Sequence, residues 1–162
     1  MPQGQGAEAV ARNFIGSATH KLDAKGRVSL PSDYREVLKA HGSPDHFVLI
    51  PADEVDPMHV ALTPAGHAEL IAALTDQDYD SPEEEQATRL RYIGNARPIS
   101  VEEGGRFVLS RDLREAIGLR DAVRFVGDGG TFQLWEPGAC DARFAPEKKV
   151  RPRRVRLAGI GQ

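Results

Sequence analysis

The chain has 162 residues, of which 40% are hydrophobic and 28% charged, and its formal net charge is −3. This composition is ordinary for a globular protein of one domain or two small ones. No apolar run approaches the roughly 18 residues of a membrane helix, and the polar start lacks the apolar core of a signal peptide. The single cysteine, Cys140, cannot form an intrachain disulfide. We therefore expect a cytoplasmic protein without a membrane partner.

Charge is unevenly distributed along the chain. Between Ala40 and Thr88 there is no Lys or Arg, whereas acidic residues are frequent. The tail from Lys148 to Arg156 is rich in Lys and Arg and contains no acid. Such asymmetry suits partners of opposite charge. A solvated acidic linker followed by a solubilising basic tail explains the pattern as well, so both interpretations stay open.

The first predicted elements form a hairpin-like unit. Residues 1–12 are polar and are expected to be a flexible arm. Weak alternation predicts a strand over residues 18–23, and stronger alternation predicts another over Arg27–Leu30. Between them, Lys25-Gly26 indicates a tight turn, because glycine accepts the positive φ that such a turn demands.

A short helix and a buried strand follow. Pro31 ends the strand, and Ser32 or Asp33 is suited to cap a helix. Gly42 is expected to end that helix. Phe47-Val48-Leu49-Ile50 is a continuous apolar run, which is typical of a buried strand.

The acidic middle, residues 56–91, is predicted to be a helical connector. Thr63-Pro64 is an N-cap followed by proline at the first helical position. Ser81 and Glu84 have the spacing of a capping box. The acids of the second helix lie in its first turn, where they complement the helix dipole without any ligand.

A second copy of the opening pattern follows the connector. Residues 102–115 repeat residues 23–36 at an offset of 79 positions, as from Arg27 to Arg106. Six pairs are identical: Gly26/Gly105, Arg27/Arg106, Leu30/Leu109, Asp33/Asp112, Arg35/Arg114 and Glu36/Glu115. The chain therefore contains an internal repeat.

The second copy has the same predicted order of elements. Strands are expected near Arg97–Val101 and over Arg106–Leu109, followed by a helix that Gly118 ends. Val123–Val126 and Phe132–Trp135 are predicted strands joined by Gly127-Asp128-Gly129-Gly130, a hairpin signal. Phe132–Trp135 is expected to correspond to Phe47–Ile50 of the first copy.

These elements define the expected domain organisation. Repeat 1 covers residues 14–55, the acidic connector 56–91, repeat 2 92–138, and a basic, disordered tail 139–162. Neither copy can bury both faces of its strands alone. We therefore expect a mixed, mainly β fold in which the two copies share one small pseudo-symmetric barrel or sandwich.

The candidate functional residues are the cations presented at the glycine turns. Lys25, Arg27 and Arg106 are suited to contact DNA, because arginine can bond guanine O6 and N7 together and lysine can contact phosphate. Asp23 and Glu102, each four residues before an arginine, are predicted to brace it, and Gly26 and Gly105 to form the turns. A simple hairpin-closing salt bridge explains the same pairs, and both interpretations stay open. Arg35 and Arg114, on helices, are expected to have structural surface roles.

Catalytic and metal-binding patterns are weak. The histidines lack the HExxH spacing and Cys140 lacks a CxxC partner. No G-x-S-x-G turn is present, and Gly127-Asp128-Gly129-Gly130 lacks the Lys-Ser/Thr of a phosphate-binding loop. We expect neither an enzyme, a cofactor, a metal nor a small-molecule substrate.

The ordered motifs resemble a known family. The F-I-G-x-A opening, D-A-K-G-R-V-S-L-P-x-x-x-R, G-R-F-V-L-x-x-x-L-R and F-Q-L-W, within residues 14–137, are similar to those of the MraZ family of bacterial transcriptional regulators. The resemblance implies two SpoVT/AbrB-type repeats in a swapped-hairpin β-barrel and a ring-like homo-oligomer on the nucleoid. It also implies binding to short direct repeats in promoter DNA upstream of the division and cell-wall gene cluster.

The family's D-x-x-x-R motif matches Asp23 and Arg27 in the first half. In the second half Arg106 matches, but the acid is Glu102, and Lys25 is replaced by Gly104. We therefore expect the first half to contribute more to DNA binding. The alternative hypothesis is a protein-interaction module of the same fold, such as an antitoxin, which the acidic stretch and the termini would suit.

Overall fold

The computed structural model describes residues 12–145, 147 and 150–156. They form a mixed α/β fold organised mainly by antiparallel β-sheet, with short helices. Apart from Arg12, the predicted arm of residues 1–12 lies outside the described residues. In the described part of the chain, no helix has the length and apolar character needed to cross a membrane.

The strands and helices follow the chain in two similar series. The strands are β1 Ser17–Lys21, β2 Arg27–Ser29, β3 His46–Ile50, β4 His59–Leu62, β5 Arg97–Ser100, β6 Arg106–Val108, β7 Ala122–Gly127 and β8 Thr131–Trp135. The helices are α1 Ser32–Ala40, α2 Pro64–Thr75, α3 Pro82–Arg89 with a following π-helix Leu90–Gly94, α4 Arg111–Ala116 and α5 Pro137–Arg143.

The main sheet has six strands in a symmetric order. The order is β1-β7-β8-β4-β3-β5, so β1 and β5, the first strands of the two halves, form its edges. Each edge strand pairs with a strand of the other half: β1 with β7, and β5 with β3. The centre of the sheet is the pair β4 and β8. The two halves therefore exchange strands across a pseudo-two-fold axis.

A separate two-stranded ribbon joins β2 to β6. Val28 faces Phe107 in this antiparallel pair, and the two residues occupy matching positions of the repeat. The flanking hydrogen bonds also match, because the Leu30 N–H donates to the Gly105 carbonyl (2.9 Å) and the Leu109 N–H donates to the Gly26 carbonyl (2.8 Å). The pseudo-two-fold axis therefore passes through the Val28–Phe107 pair.

The predicted pairing of residues 18–23 with Arg27–Leu30 is wrong. The turn between them is tight, but β1 joins the main sheet and β2 leaves it for the ribbon. This arrangement buries Val28 and Phe107, at 2% and 1% exposure, against the same core. The expected closed barrel is not found in the described residues, because the main sheet ends at β1 and β5 while β2 and β6 pair with each other.

The matching of strands between the two halves also needs correction. Phe132–Trp135 lies in β8, whose partner across the pseudo-axis is β4. Phe47–Ile50, in β3, instead corresponds to β7, since each lies beside the other half's edge strand. Sequence alone favoured the wrong match because both four-residue segments have Phe at the first position and Leu at the third.

The connector, residues 56–91, is not helical throughout, because β4 forms near its beginning. Its two helices begin as predicted. The Thr63 hydroxyl accepts from the Gly66 N–H (3.0 Å), and the Ser81 hydroxyl accepts from the Glu84 N–H (3.1 Å). Side-chain capping of these otherwise unpaired N–H groups fixes both helix starts.

The tail also contains structure that the sequence prediction missed. Helix α5 covers the beginning of the segment 139–162 that was predicted to be disordered. Glu136 caps α5 through the N–H groups of Gly138 and Ala139, and Cys140 packs inward at 6% exposure. Beyond α5, residues 150–156 have no regular structure and are exposed.

The core contains aromatic rings from both halves. The ring of Phe132 contacts those of Phe14, Tyr34, Phe47 and Phe125, with centroids 4.8 to 6.4 Å apart. Edge-on and tilted contacts of this kind add to the energy of burial. The core therefore holds the two halves together beneath the ribbon.

His59 occupies a fully buried position at the junction of the halves. Its Nδ1 accepts from the Ala52 N–H (2.9 Å), and its Nε2–H donates to the Leu113 carbonyl (2.7 Å), which belongs to α4. Burial lowers the pKa of this imidazole, so the neutral ring is favoured. His59 thus connects β4 of the first half to a helix of the second.

Candidate nucleic-acid interface

Two glycine turns precede the strands of the ribbon, and they have the same geometry. In the first turn, residues 23–27, the Asp23 N–H donates to the Arg27 carbonyl (3.0 Å) and the Gly26 N–H donates to the Asp23 carbonyl (3.0 Å). The second turn, residues 102–106, contains the same two bonds at 2.8 Å each. Gly26 and its counterpart have φ of 86° and 89°, a conformation that glycine adopts at little cost.

Each turn lies close against the other half of the molecule. A Cβ on Gly26 would be 2.2 Å from the carbonyl oxygen of Leu109. A Cβ on Gly105 would be 2.6 Å from Cδ of Arg35. Gly26 is therefore required for close approach as well as for backbone conformation, whereas at Gly105 the neighbour is a flexible side chain.

Arg35 and Arg114 each donate a hydrogen bond to the glycine turn of the other half. The Arg35 guanidinium donates to the Glu103 carbonyl in the second turn (2.9 Å), and the Arg114 guanidinium donates to the Ala24 carbonyl in the first (3.4 Å). Arg114 also donates from Nε to the Leu109 carbonyl (3.1 Å). These arginines were predicted to have structural roles on the surface, and the structure shows that each role is to fix the opposite turn. In the sequence, the feature that pointed to this role was the occurrence of arginine at the same position of both copies.

The first turn carries the predicted acid–arginine brace. The Arg27 Nε donates to one carboxylate oxygen of Asp23 (2.7 Å), while the N–H groups of Lys25 and Arg27 donate to the other (2.9 Å each). The Arg27 N–H and guanidinium are the main causes that lower the pKa of Asp23 to about 2. Because both side chains are partly exposed, at 36% and 43%, the brace orients Arg27 while leaving it accessible.

The second turn lacks this brace. Among the described residues, no hydrogen bond or ion pair joins the Glu102 side chain to Arg106. Lys25, at the tip of the first turn, is also exposed, and Gly104 stands at its position in the second. The two turns thus share a backbone but present different side chains.

The ribbon brings both arginines to one face. Val28 and Phe107 point into the core, so the alternating neighbours Arg27 and Arg106 face outward. Arg106 pairs in register with Ser29. The structure therefore places the two predicted DNA-binding arginines on a single exposed surface, with Lys25 beside it.

The acidic stretch has a structural explanation for several of its charges. The guanidinium of Arg91 pairs with Asp53 and, at 2.7 Å, with Asp56. Glu84 accepts from the Asp80 N–H (3.2 Å) next to the Ser81 cap. The Arg91 contacts connect the end of the connector to the loop before β4.

The remaining candidate chemistry is sparse. In residues 12–145 and the other described positions, no group of three His, Cys, Asp or Glu side chains is arranged to hold a metal ion. In the basic tail, the described arginines Arg151, Arg153, Arg154 and Arg156 are exposed.

Comparison with known proteins agrees with the resemblance seen in the sequence. No family model matches the chain. The chain is 35% identical over 150 residues to a protein of Gluconacetobacter diazotrophicus, covering 92% of this chain and 94% of that one. It is 34% identical over 140 residues to a protein of Gluconobacter oxydans, covering 85% of each chain. A protein of Ruegeria pomeroyi is 35% identical over 138 residues, covering 82% of each chain.

These relatives all belong to one class, the transcriptional regulators. Each is named transcriptional regulator MraZ. The chain belongs to the MraZ family, as its motifs predicted.

Proposed function

We propose that this protein is a sequence-specific DNA-binding transcriptional regulator and not an enzyme. The observation that carries the proposal is the placement of Arg27 and Arg106 on the outward face of one ribbon. Membership of a family of transcriptional regulators supports it. Double-stranded DNA is the proposed partner.

The shape of the ribbon suits this role. The major groove of B-DNA admits a two-stranded ribbon, and the guanidinium of arginine can bond guanine O6 and N7 together. The brace from Asp23 limits the rotamers of Arg27 before binding, so less side-chain entropy is lost on contact. Lys25, unbraced at the tip of the turn, is suited to contact a phosphate as a point charge.

The finer features implied by the family resemblance complete the proposal. The two halves, residues 14–55 and 92–138, would be SpoVT/AbrB-like repeats. Several copies in a ring-like homo-oligomer would bind short direct repeats upstream of the division and cell-wall gene cluster, on the nucleoid. Avidity then converts weak contacts by single copies into tight binding at correctly spaced sites.

The test is a DNA titration with Arg27 variants. Arg27→Ala is expected to lower affinity for a duplex from the gene's own upstream region about 5- to 150-fold, because one bidentate base contact contributes about 1–3 kcal/mol. Arg27→Lys should lose discrimination against a scrambled duplex while keeping most non-specific affinity. Arg89→Ala, which removes an equal charge from α3, is the matched control.

Fluorescence anisotropy reports the affinity, and size-exclusion chromatography reports whether the variants keep the assembly of the parent protein. Unchanged affinity of Arg27→Ala for the upstream duplex would overturn the proposal. Stoichiometric capture of a protein partner, with no salt-dependent DNA affinity, would instead identify a protein-interaction module such as an antitoxin.

A further inference from the structure

A cleft of about 480 Å³ opens between β1 and the ribbon, next to the first turn. Its lining combines residues of β1 and β2 from the first half with Arg106 from the second. Among the described residues of the lining, the cations are Lys21, Arg27 and Arg106, and the one carboxylate is that of Asp23. The cleft is therefore positively charged overall.

The carboxylate offsets one of these positive charges, that of Arg27. Asp23 accepts from Arg27 Nε and from two backbone N–H groups, so both of its oxygens are occupied inside the turn. For Lys21 and Arg106, by contrast, no ion pair is present among the described residues. Two cations thus line the cleft without a partner acid.

The wall of the cleft is rigid and polar. The His20 Nδ1–H donates to the Ser29 carbonyl (2.5 Å), and the His20 ring packs edge-on against Phe125 at 5.6 Å between centroids. The Thr19 hydroxyl accepts from Arg124 Nε (2.6 Å). These contacts fix β1 beside the ribbon, so the cleft is formed before any ligand arrives.

The matching positions of the second half lack this chemistry. Counting 79 positions along the repeat replaces Lys21 by Ser100 and Ser29 by Val108. The two residues before Ser100 are Pro98 and Ile99, so no imidazole stands at the position of His20. The cation of the equivalent strand, Arg97, pairs with Asp112. The positive cleft is therefore a property of the first half and not a by-product of the repeated fold.

We propose that this cleft binds a backbone phosphate of duplex DNA, with Lys21 and Arg106 as its charged ligands. This inference rests on the proposed function and assigns Arg106 a role different from that of Arg27. Arg27, held by its acid, is oriented toward a base edge, whereas unbraced Arg106 contacts the phosphodiester. Contacts to phosphates position a protein on DNA without reading sequence.

The first test compares Lys21→Ala with Ser100→Ala, its matched control in the other half. Each phosphate contact contributes about 0.9 to the slope of log affinity against log salt concentration. Lys21→Ala should therefore reduce that slope by about 0.9 and weaken binding about fivefold at physiological salt, equally for the upstream and a scrambled duplex. Ser100→Ala should change neither quantity.

The second test locates the phosphate directly. Duplexes are prepared with a neutral methylphosphonate at one backbone position at a time. The affinity of each duplex is measured for the parent protein and for Lys21→Ala. At the contacted position, the neutral linkage should weaken binding of the parent protein several-fold and leave that of Lys21→Ala unchanged.

The outcomes separate this inference from the proposed function. If Lys21→Ala weakens only the upstream duplex and the salt slope is unchanged, Lys21 reads sequence and the phosphate assignment is wrong. If no methylphosphonate position loses its effect in Lys21→Ala, the assignment is also wrong. Both results leave the DNA-binding proposal standing, because that proposal depends on Arg27.

Discussion

The two glycine turns have the same backbone but are stabilised differently. The first presents an arginine held by Asp23 and a lysine at its tip, beside a positive cleft. In the second, no brace to Arg106 is present among the described residues, and the tip is glycine. A duplicated scaffold has therefore kept its hydrogen bonds while its surfaces have come to differ. The scaffold depends on backbone geometry, whereas recognition depends on a few side chains.

The largest expected difference between the turns concerns their glycines. Gly26→Ala would place its Cβ 2.2 Å from a backbone oxygen, whereas Gly105→Ala would meet the flexible side chain of Arg35. Each change also costs about 1–2 kcal/mol for its positive φ. We expect the free energy of unfolding to fall by about 3 kcal/mol or more for Gly26→Ala and by about 1–2 kcal/mol for Gly105→Ala.

Urea denaturation at one protein concentration measures both losses. The prediction is also confirmed if Gly26→Ala fails to fold while Gly105→Ala folds. An equal or larger loss for Gly105→Ala would show that the turns are packed differently from the structure.

The next prediction concerns His59, which connects the two halves in the core. Because burial lowers the pKa of His59 below its ordinary 6.5, the unfolded chain binds more protons than the folded one as pH falls through that value. This histidine therefore stabilises the fold fully above about pH 6.5, and its contribution is lost as pH falls toward the lowered pKa.

His59→Phe tests this assignment. At pH 7 the variant should be less stable by about 1–3 kcal/mol, because Ala52 N–H and the Leu113 carbonyl lose their partner. The gap between the parent protein and the variant should narrow at pH 5. Urea denaturation between pH 5 and 8 measures it, and a gap independent of pH would contradict the prediction.

The smallest expected effect is a change in the pKa of Asp23 when the ion pair between Asp23 and Arg27 is removed. The Asp23 pKa of about 2 should rise in Arg27→Ala, but only partly, because the backbone N–H groups remain. The stability that this carboxylate contributes is present above its ordinary pKa of 3.8 and is lost as pH falls toward 2. Carboxyl carbon NMR titration measures the shift.

Arg106→Ala is the control for this titration and should leave the Asp23 pKa unchanged. If the two arginine variants shift Asp23 equally, or if Asp23 of the parent protein titrates near 3.8, the brace does not form in solution.

Most local signals in the sequence predicted local structure, although the cap expected at Ser32 or Asp33 is wrong, since α1 has Pro31 at its N-cap without a side-chain hydrogen bond. The Thr63 and Ser81 caps begin their helices as expected, and the glycines at 127–130 connect β7 to β8. These features succeed because each depends on neighbours a few residues away. The turn at Gly26 was predicted for the same reason.

Strand pairing could not be predicted from the same information. Alternation shows which side chains point inward, but not which strand lies beside another. The particular pairs β1 with β7 and β5 with β3 were therefore missed, although the family resemblance implied swapped hairpins. Strand β4 was missed because His59-Val60-Ala61-Leu62 is short and has little apolar contrast with its surroundings.

The candidate site was recognised in part. Arg27 and Arg106 stood out because they repeat beside glycines, and the structure places them on one face. Lys21 was not recognised, since its importance depends on a cleft completed by Arg106 from the other half. Chemistry that residues share across a pseudo-axis leaves no spacing pattern in either copy.

The exchange of strands has a consequence for synthesis of the chain. When the first half leaves the ribosome, β1 and β2 still lack β7 and β6, which are encoded about 80 to 110 residues later. Contacts of such long range slow folding and leave strand edges exposed meanwhile. In the nascent first half, the edges of β1 and β2 therefore stay unpaired until β6 and β7 have been translated.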